Sequence, residues 1–297
     1  MGDRLYRGRK LLNSGKILQN RYCIKKMIGQ GGFGISYLSV DFAQDKDVVI
    51  KEYFPYGKAY RGETSQVFFK NNSGKYDMFI HEASILEKLK NIEGIVKIQD
   101  FFLENNTAYI VMGRCKGMTL REMVQKNGRM EAKESYVLME SLQKSLEQIH
   151  RHGIIHRDIC PDNIIVTEAK EVGLIDFGSA LDLNSRKQQL EEPTYRTGFS
   201  PPEQYEKGGM YGVWTDIYAF YATWYFCLAN AAPPGAEERL DCDVFSCRLR
   251  TELEEKSGLM ELLERGMALD YKKRNIWKGG ECYGNDKRRK ICFTEYA

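Results

Sequence analysis

The sequence predicts an α+β fold in two lobes, a small antiparallel β-sheet lobe with one main helix and a larger, mostly helical lobe. Residues 21–53 follow the pattern strand, glycine turn, strand, turn, strand. Beyond Gly117 the apolar residues follow helical spacing instead. Strands that precede helices are typical of an α+β arrangement, and 297 residues are enough for two coupled lobes with a buried core.

The small lobe is predicted to contain one helix after a polar, turn-rich stretch. Residues 55–77 are interpreted as a loop with a short strand at 67–69. The helix is predicted over about residues 75–90, and two strand-like runs follow it at 95–102 and 107–113. These elements complete the small lobe.

Two patterns predict buried helices in the large lobe. The apolar run 214–229 is shorter than the roughly 20 residues that span a bilayer and contains Asp216, so it predicts a helix buried in protein. Spacing of i, i+4, i+8 and i+11 predicts one apolar helix face. The residues of that face are Leu138, Leu142, Leu146 and Ile149.

Composition excludes several classes of function. A net charge of +3 is too small to indicate nucleic acid or membrane as the main partner. The eight cysteines include no C-x-x-C pair, which argues against a zinc site. The N-terminus is basic but has no apolar signal region. We expect a cytoplasmic protein with reduced thiols, no membrane span and no nucleic-acid partner.

A glycine-rich segment at 28–34 has the form G-x-G-x-x-G, with its glycines at Gly29, Gly31 and Gly34. Glycine lets the backbone approach phosphate oxygens closely. The motif alone is weak, because dinucleotide-binding folds share it and many matches are only turns. A dinucleotide fold would continue with a helix, whereas residues 35–40 predict a strand. We interpret the segment as the turn of a β-hairpin that lies over ATP.

Lys51 ends a β-branched strand and would by itself be interpreted as an exposed strand lysine. Glu82 changes that interpretation, because it lies on the otherwise apolar face of the predicted helix. A buried carboxylate needs a cation or a proton. Lys51 is the natural partner, and the competing Glu87 points away from that face. The apolar residues that share the face with Glu82 are Phe79, Leu86 and Leu89.

The strongest signal is the pair of motifs H-R-D-x-x-x-x-N at 156–163 and D-F-G at 176–178. Asp158 and Asp176 are 18 residues apart, downstream of the glycine segment and Lys51. In this order the motifs resemble those of the protein kinase superfamily, over about residues 21–274. The motif sequences GQGGFG, IKEYFP, PPEQY and WTDIYA are most similar to those of bacterial serine/threonine kinases.

The resemblance implies a bilobal protein-kinase-like fold and a role for each motif residue. Asp158 is implied to be the catalytic base, with Lys51 and Asn163 as further catalytic residues. Asn163 and Asp176 are implied to hold Mg²⁺, while His156 and Phe177 have packing roles. The residues that the resemblance places around ATP are Ile28, Gly29, Gln30, Gly31, Gly32, Phe33, Gly34, Ser36, Val49, Lys51, Glu82, Met112, Gly113, Cys115 and Ile165.

The resemblance also sets boundaries and later landmarks. It divides the chain into a basic lead-in 1–20, a kinase domain 21–274 with lobes 21–113 and 114–274, and an atypical tail 275–297. Residues 200–203 resemble the A-P-E end of an activation segment, whose Glu203 is expected to pair with Arg274. Asp216 is expected to anchor the catalytic loop. The tail has no helical period and is interpreted as divergent, truncated or frame-shifted.

The sequence departs from the family pattern in and around the catalytic loop. Serine/threonine kinases usually carry lysine where this chain has Cys160, which puts its rate of transfer in question. The threonine expected before A-P-E is displaced to Thr197, with Arg196 in its place. Thr194 or Thr197 is predicted to be a phosphosite, because Arg157 is typical of kinases ordered by phosphorylation.

Three functions follow from these residues. The first is a protein kinase that uses ATP and Mg²⁺ on serine or threonine of protein substrates, with autophosphorylation in trans as one reaction. The second is a nucleotide-binding pseudokinase that acts as a scaffold. The third is a small-molecule kinase, against which the A-P-E-like segment argues.

Overall fold

The structure is a computed structural model that describes residues 5–6, 9–62, 64–70, 76–185, 195–243, 257–274, 276–278, 281–283 and 290–292. The chain divides into two compact units. The first comprises residues 1–91 and 96–115, and the second comprises residues 92–95 and 116–297.

The strands of the first unit are β1 (Leu5–Tyr6), β2 (Arg9–Lys10), β3 (Ile17–Leu18), β4 (Tyr22–Gln30), β5 (Gly34–Asp41), β6 (Lys46–Tyr53), β7 (Ala59–Arg61), β8 (Val67–Phe69), β9 (Ile98–Glu104) and β10 (Thr107–Gly113). Six of them form an antiparallel sheet in the order β3-β4-β5-β6-β10-β9, and the short strands form the pairs β1-β2 and β7-β8. The strands predicted within 21–53, 67–69, 95–102 and 107–113 are confirmed.

The lead-in contributes to this unit more than its sequence predicted. Leu18 lies in β3, which pairs with β4 at the edge of the large sheet, and Leu12 is buried in the same core. A strand of two residues is too short to show a period of two, which explains why no strand was predictable there.

Alternating side chains of the central strands form the core of the first unit. In a strand, residues i and i+2 point to the same face of the sheet. The core members contributed in this way are Tyr22, Ile24, Ile35, Tyr37, Val48, Ile50, Tyr109 and Val111.

Helix α1 (Asp77–Lys88) is the helix predicted over 75–90, and residue 75 lies outside the described residues. An acidic residue in its first turn and a basic residue in its last turn complement the helix dipole. Its buried residues include the predicted Glu82 on a stripe with Phe79 and Leu86.

The second unit is built from five described α-helices and short strands. The helices are α2 (Leu120–Asn127), α3 (Ala132–Arg151), α4 (Val213–Ala229), α5 (Ala236–Asp241) and α6 (Ser257–Gly266). The strands are β11 (Met118–Thr119), β12 (Ile154–Ile155), β13 (Ile164–Val166), β14 (Val172–Leu174), β15 (Leu181–Asp182), β16 (Ile276–Lys278), β17 (Glu281–Tyr283) and β18 (Lys290–Cys292). A capping box between Thr119 and Glu122 begins α2.

Both helices predicted from apolar patterns are buried as expected. The α3 face of Leu138, Leu142, Leu146 and Ile149 is inaccessible to solvent or nearly so. Every residue of α4 from 215 to 228 is buried, and the helix ends at Asn230 in the left-handed conformation. Among the described residues, no helix is both long and apolar enough to cross a membrane.

The tail after Arg274 forms strands instead of the closing helix that the family would have. Strands β16, β17 and β18 pair antiparallel within the described parts of the tail. Trp277 of β16 is buried, with its ring 4.8 Å from that of Phe220 and 6.2 Å from that of His150. The beginning of the tail therefore packs on the second unit.

Candidate active site

The glycine segment forms the turn between β4 and β5. The Gly31 N–H donates to the carbonyl of Gly34 at 2.9 Å and closes the turn. A Cβ on Gly34 would lie 2.4 Å from the Glu52 carbonyl oxygen, so the fold itself requires glycine there. A Cβ on Gly31 or Gly32 would meet no described protein atom within 4 Å. The fold therefore leaves open space at these two glycines.

Lys51 of β6 and Glu82 of α1 form the ion pair that the sequence predicted. The Lys51 Nζ lies 2.7 Å from Glu82 Oε1 and 2.8 Å from Oε2, so both carboxylate oxygens bind one ammonium. Their side chains are 11% and 3% exposed. The competing Glu87 is exposed and pairs with Lys90. Because the pair is buried and doubly bonded, it fixes the lysine in position.

Four of the residues predicted around ATP share one face of the sheet. Ser36 lies opposite Lys51 on the neighbouring strand, and Met112 lies opposite Val49. Since Val49 is two residues from Lys51, all four side chains point to the same side.

The chain after β10 continues this predicted adenine site. The Gly113 N–H donates to the Lys97 carbonyl at 2.9 Å. Cys115 is half-buried, and burial raises the pKa of its thiol. On the glycine turn, Ile28 and Phe33 are exposed.

A buried network behind Lys51 was not predicted. Glu52 is fully buried and accepts hydrogen bonds from Arg61 at 2.5 Å, Tyr109 at 2.6 Å and Tyr37 at 3.2 Å. Burial, followed by the charge of Glu52, raises the pKa of both tyrosines above the ordinary value. Because Glu52 follows Lys51 in β6, the network holds this strand from its other face. The only sequence signal was a charged residue next to the lysine.

In the second unit, Asp216 anchors the H-R-D segment as expected. Its carboxylate accepts the backbone N–H groups of His156 and Arg157, both at 2.8 Å, and lies 2.8 Å from His150 Nε2. Burial alone would raise the pKa of Asp216, but hydrogen bonds and the nearby histidines outweigh it and lower that pKa. Arg157 has a φ of +66°, a strained conformation that these bonds hold in place.

The β13–β14 hairpin brings Asn163 and Asp176 together, and Asn163 is hydrogen-bonded to Asp158. The Asn163 side-chain amide donates to the backbone carbonyl of Asp158 and to its Oδ2, both at 2.8 Å. Asn163 precedes β13 and Asp176 follows β14, and Ile175 N–H donates to the Asn163 carbonyl at 2.9 Å. The two predicted metal ligands therefore lie at the same end of one hairpin. Ile165 lies on β13 and is partly exposed.

His156 and Phe177 pack on each other, as their predicted structural roles require. Their ring centroids are 4.6 Å apart in an edge-to-face arrangement. Complete burial lowers the pKa of His156 below 6.5, so the imidazole is neutral at pH 7.

The Glu203–Arg274 pair, predicted from residues 200–203, is also present. Arg274 Nη1 lies 2.6 Å from Glu203 Oε1, and Nη2 lies 3.0 Å from Oε2. Next to Glu203, the Gln204 side chain donates to the carbonyl of Arg157 at 2.9 Å. The end of the predicted activation segment is thus bonded to the H-R-D segment.

Arg196 is the residue that sequence reasoning left without a role. Its Nε donates to Asp158 Oδ1 at 3.0 Å, its Nη2 to Asp158 Oδ2 at 3.1 Å, and its Nη1 to Asp162 at 3.3 Å. Cys160 is fully buried, and burial with the charge of Asp158 raises the pKa of its thiol to about 12. Of the two predicted phosphosites, Thr197 is exposed and Thr194 lies outside the described residues.

Comparisons with known proteins identify the family of this chain. Residues 22–274 match the family model "Protein kinase domain". The chain is 30% identical to serine/threonine-protein kinase PrkC of Bacillus subtilis over 220 residues, which are 74% of this chain and 32% of PrkC. It is 32% identical to serine/threonine-protein kinase F of Synechocystis over 233 residues, 72% of this chain and 45% of that protein.

A solved structure, the apo form of PpkA-294, is 29% identical and superposes with a TM-score of 0.76, covering 89% of this chain and 95% of that one. The chain spans about a third of the length of PrkC and under half of kinase F. The predicted fold is confirmed. On its motifs, its fold and the match over 22–274, this chain belongs to the protein kinase domain family.

Proposed function

We propose that this chain transfers the γ-phosphate of ATP to serine or threonine hydroxyls of protein substrates, with Asp158 as the catalytic base. The observation that carries the proposal is the bonding of Asp158 to Asn163 at the hairpin end that also bears Asp176. Curated relatives that cover most of this chain are named serine/threonine-protein kinases, which supports the choice of acceptor.

In the proposed reaction, a substrate hydroxyl oxygen forms a bond to the γ-phosphorus. Its proton moves to the Asp158 carboxylate. The bond between the γ-phosphorus and the bridging oxygen breaks, and ADP leaves with that electron pair. Asn163 holds Asp158 through two hydrogen bonds, so the carboxylate is oriented before the substrate arrives.

Asn163 and Asp176 would hold Mg²⁺, which when bound offsets charge on the phosphate oxygens. The donor set fits this hard cation, because an amide oxygen and a carboxylate are oxygen ligands. The amide nitrogen of Asn163 is engaged by Asp158, which leaves the amide oxygen as the atom to bind a cation. Asp176 has a φ of +61°, and strained residues of this kind cluster at functional sites.

We assign the first unit to the nucleotide. Lys51, fixed by Glu82, would bind the α- and β-phosphates, and backbone N–H groups of the glycine turn would approach the phosphates where Gly31 and Gly32 leave space. The face that bears Ser36, Val49 and Met112 would receive the adenine, together with Gly113 and Cys115. Ile165 of the second unit stays a prediction from the family resemblance.

One observation favours the alternative of a nucleotide-binding pseudokinase, namely the buried, neutral Cys160 at a position where lysine is usual. Thermal unfolding with and without Mg·ATP, beside transfer from radiolabelled ATP to a generic protein substrate, separates the two functions. A kinase shows both a nucleotide-dependent shift and transfer. A shift without transfer would establish the scaffold instead.

Substrates and location are further proposals. The substrates are proteins of unassigned identity, and the chain itself is one of them if phosphorylation in trans reaches the exposed Thr197. The five cysteines whose side chains the structure describes are free thiols, which agrees with a cytoplasmic protein.

A further inference from the structure

The carboxylate of Asp158 pairs with one cation among the residues that the structure describes, the guanidinium of Arg196. Two N–H groups of Arg196 bind its two oxygens, at 3.0 and 3.1 Å. A two-point contact of this kind fixes the plane of a carboxylate as well as its position. Asn163 adds a third hydrogen bond, to Oδ2, at 2.8 Å.

Arg196 is itself held in place from both ends. Its backbone N–H donates to the Ser200 hydroxyl at 2.9 Å, and the Ser200 N–H donates back to its carbonyl at 2.9 Å. Its guanidinium also bonds Asp162, which Arg121 binds at 2.7 and 2.9 Å. The hydrogen bond to Asp158 raises the pKa of Arg196 above its ordinary value, so the side chain keeps its charge.

Arg196 and Asp158 keep hydrogen-bonding groups that are available to the substrate and the phosphoryl group. A guanidinium has five N–H donors, and three of those on Arg196 have acceptors among the described residues. A carboxylate has about four lone-pair positions, and described donors occupy three of those on Asp158. One acceptor position on Oδ1 and two N–H donors, on Nη1 and Nη2, therefore remain. The acceptor position on Oδ1 suits a hydroxyl proton, and the two N–H donors suit an anionic oxygen.

Cys160 cannot supply positive charge here. Its side chain is fully buried, and burial raises the pKa of its thiol to about 12, so it is neutral at physiological pH. A thiol is also a weak hydrogen-bond donor. Among the described residues, the cation that pairs with Asp158 comes instead from another segment, since Arg196 is 38 residues further along the chain.

We propose that Arg196 orients Asp158 and carries the positive charge that balances the phosphoryl group during transfer, a role that rests on the proposed function. As the substrate oxygen bonds to phosphorus, its proton passes to Oδ1 of Asp158 and ADP leaves with the electron pair of the broken bond. Arg196 keeps all its protons and donates to the phosphoryl oxygens. It is a positioning residue toward Asp158 and a catalytic residue toward the phosphoryl group.

The test compares steady-state transfer from Mg·ATP to a serine peptide by the wild type, Arg196→Ala and Arg196→Lys. Arg196→Ala is expected to lower kcat by about 10²-fold, with little change in the KM for ATP, because the lost donors act in the transition state. Arg196→Lys keeps the charge without the two-point contact and is expected to lie between the two. Ethylguanidinium added to Arg196→Ala is expected to restore part of kcat.

A second rescue experiment places a lysine at position 160, in the H-R-D segment. Cys160→Lys in the Arg196→Ala background is expected to recover kcat, with thermal unfolding checked because position 160 is buried. The matched control is Arg151→Ala, which removes an exposed guanidinium from Glu147 and none from Asp158 or Asp162. It is expected to keep kcat to within about threefold and to gain nothing from ethylguanidinium.

Two results overturn the role of Arg196 alone. In the first, the kcat of Arg196→Ala equals or exceeds that of an active wild type, which would mean that Arg196 blocks Asp158. In the second, Arg196→Ala and Arg196→Lys are folded and equally inactive, and neither ethylguanidinium nor Cys160→Lys restores kcat. A wild type that binds Mg·ATP yet transfers no phosphate overturns the proposed function as well.

Discussion

Removal of Glu203 is predicted to destabilise the second unit strongly, because the buried charge of Arg274 loses its carboxylate partner. The Arg274 side chain is fully buried, and each of its five N–H donors has an acceptor. Two are the Glu203 oxygens, and the others are the carbonyls of Ala268, Trp214 and Leu269. Breaking a buried ion pair from one side costs about 3–5 kcal/mol.

The expected loss for Glu203→Ala is therefore about 3–5 kcal/mol in the free energy of unfolding. Arg274→Lys keeps the charge but cannot reach five acceptors, so we expect about 1–3 kcal/mol. In Glu203→Leu/Arg274→Met no charge is left unpaired. That double variant should lose less than the sum of Glu203→Leu and Arg274→Met measured singly.

Urea unfolding followed by tryptophan fluorescence suits this test, because all three tryptophans, Trp214, Trp224 and Trp277, belong to the second unit. Lys170→Ala is the matched control. Its pair with Glu134 has side chains 68% and 46% exposed, and it should change stability by less than about 1 kcal/mol. A Glu203→Ala protein within 1 kcal/mol of the wild type would refute the reasoning.

Three further predictions concern pH, Lys51 and Cys115. The free energy of unfolding should fall by up to about 1.4 kcal/mol per pH unit as pH drops below 6.5, because only the unfolded His156 takes up a proton there. His156→Gln should reduce this slope in urea titrations. An unchanged slope would contradict the assignment of the slope to His156. Lys51→Met should lower kcat by about 10²-fold or more. It should also speed hydrogen exchange in α1, because Glu82 loses its cation there. Unaltered exchange would contradict the stabilising role of the buried pair. Mg·ATP should slow alkylation of Cys115, mapped by peptide mass spectrometry, but not that of the exposed Cys242; equal protection of both, or of neither, would remove Cys115 from the adenine site.

The features that could be predicted from sequence are those written in local patterns. β-Branched runs gave the central strands, and the uniformly apolar segment 214–229 gave a buried helix. The ion pair of Lys51 and Glu82 could also be inferred, because a carboxylate on an apolar helix face needs a cation. In each case one segment carries the physical reason within itself.

The features that could not be predicted depend on partners distant in sequence. Arg196 reaches Asp158 only because the turn at 195–200 folds back over the catalytic loop, and its own neighbours gave no sign of this. Glu52 and Arg61 lie on separate strands, and only the folded sheet brings them together in the interior. The buried Trp277 follows only Ile276 in its segment, and an apolar run of two residues shows no period.

The most direct test of the central claim measures phosphate transfer by the wild type and by Asp158→Asn under identical conditions. Purified proteins that bind Mg·ATP equally well would be given radiolabelled ATP and a generic protein substrate, and labelled phosphoserine and phosphothreonine would be counted. The prediction is label with the wild type and a loss of about 10²–10⁴-fold with Asp158→Asn. Equal labelling by both proteins, or none by the wild type, would contradict the assignment of Asp158 as the base.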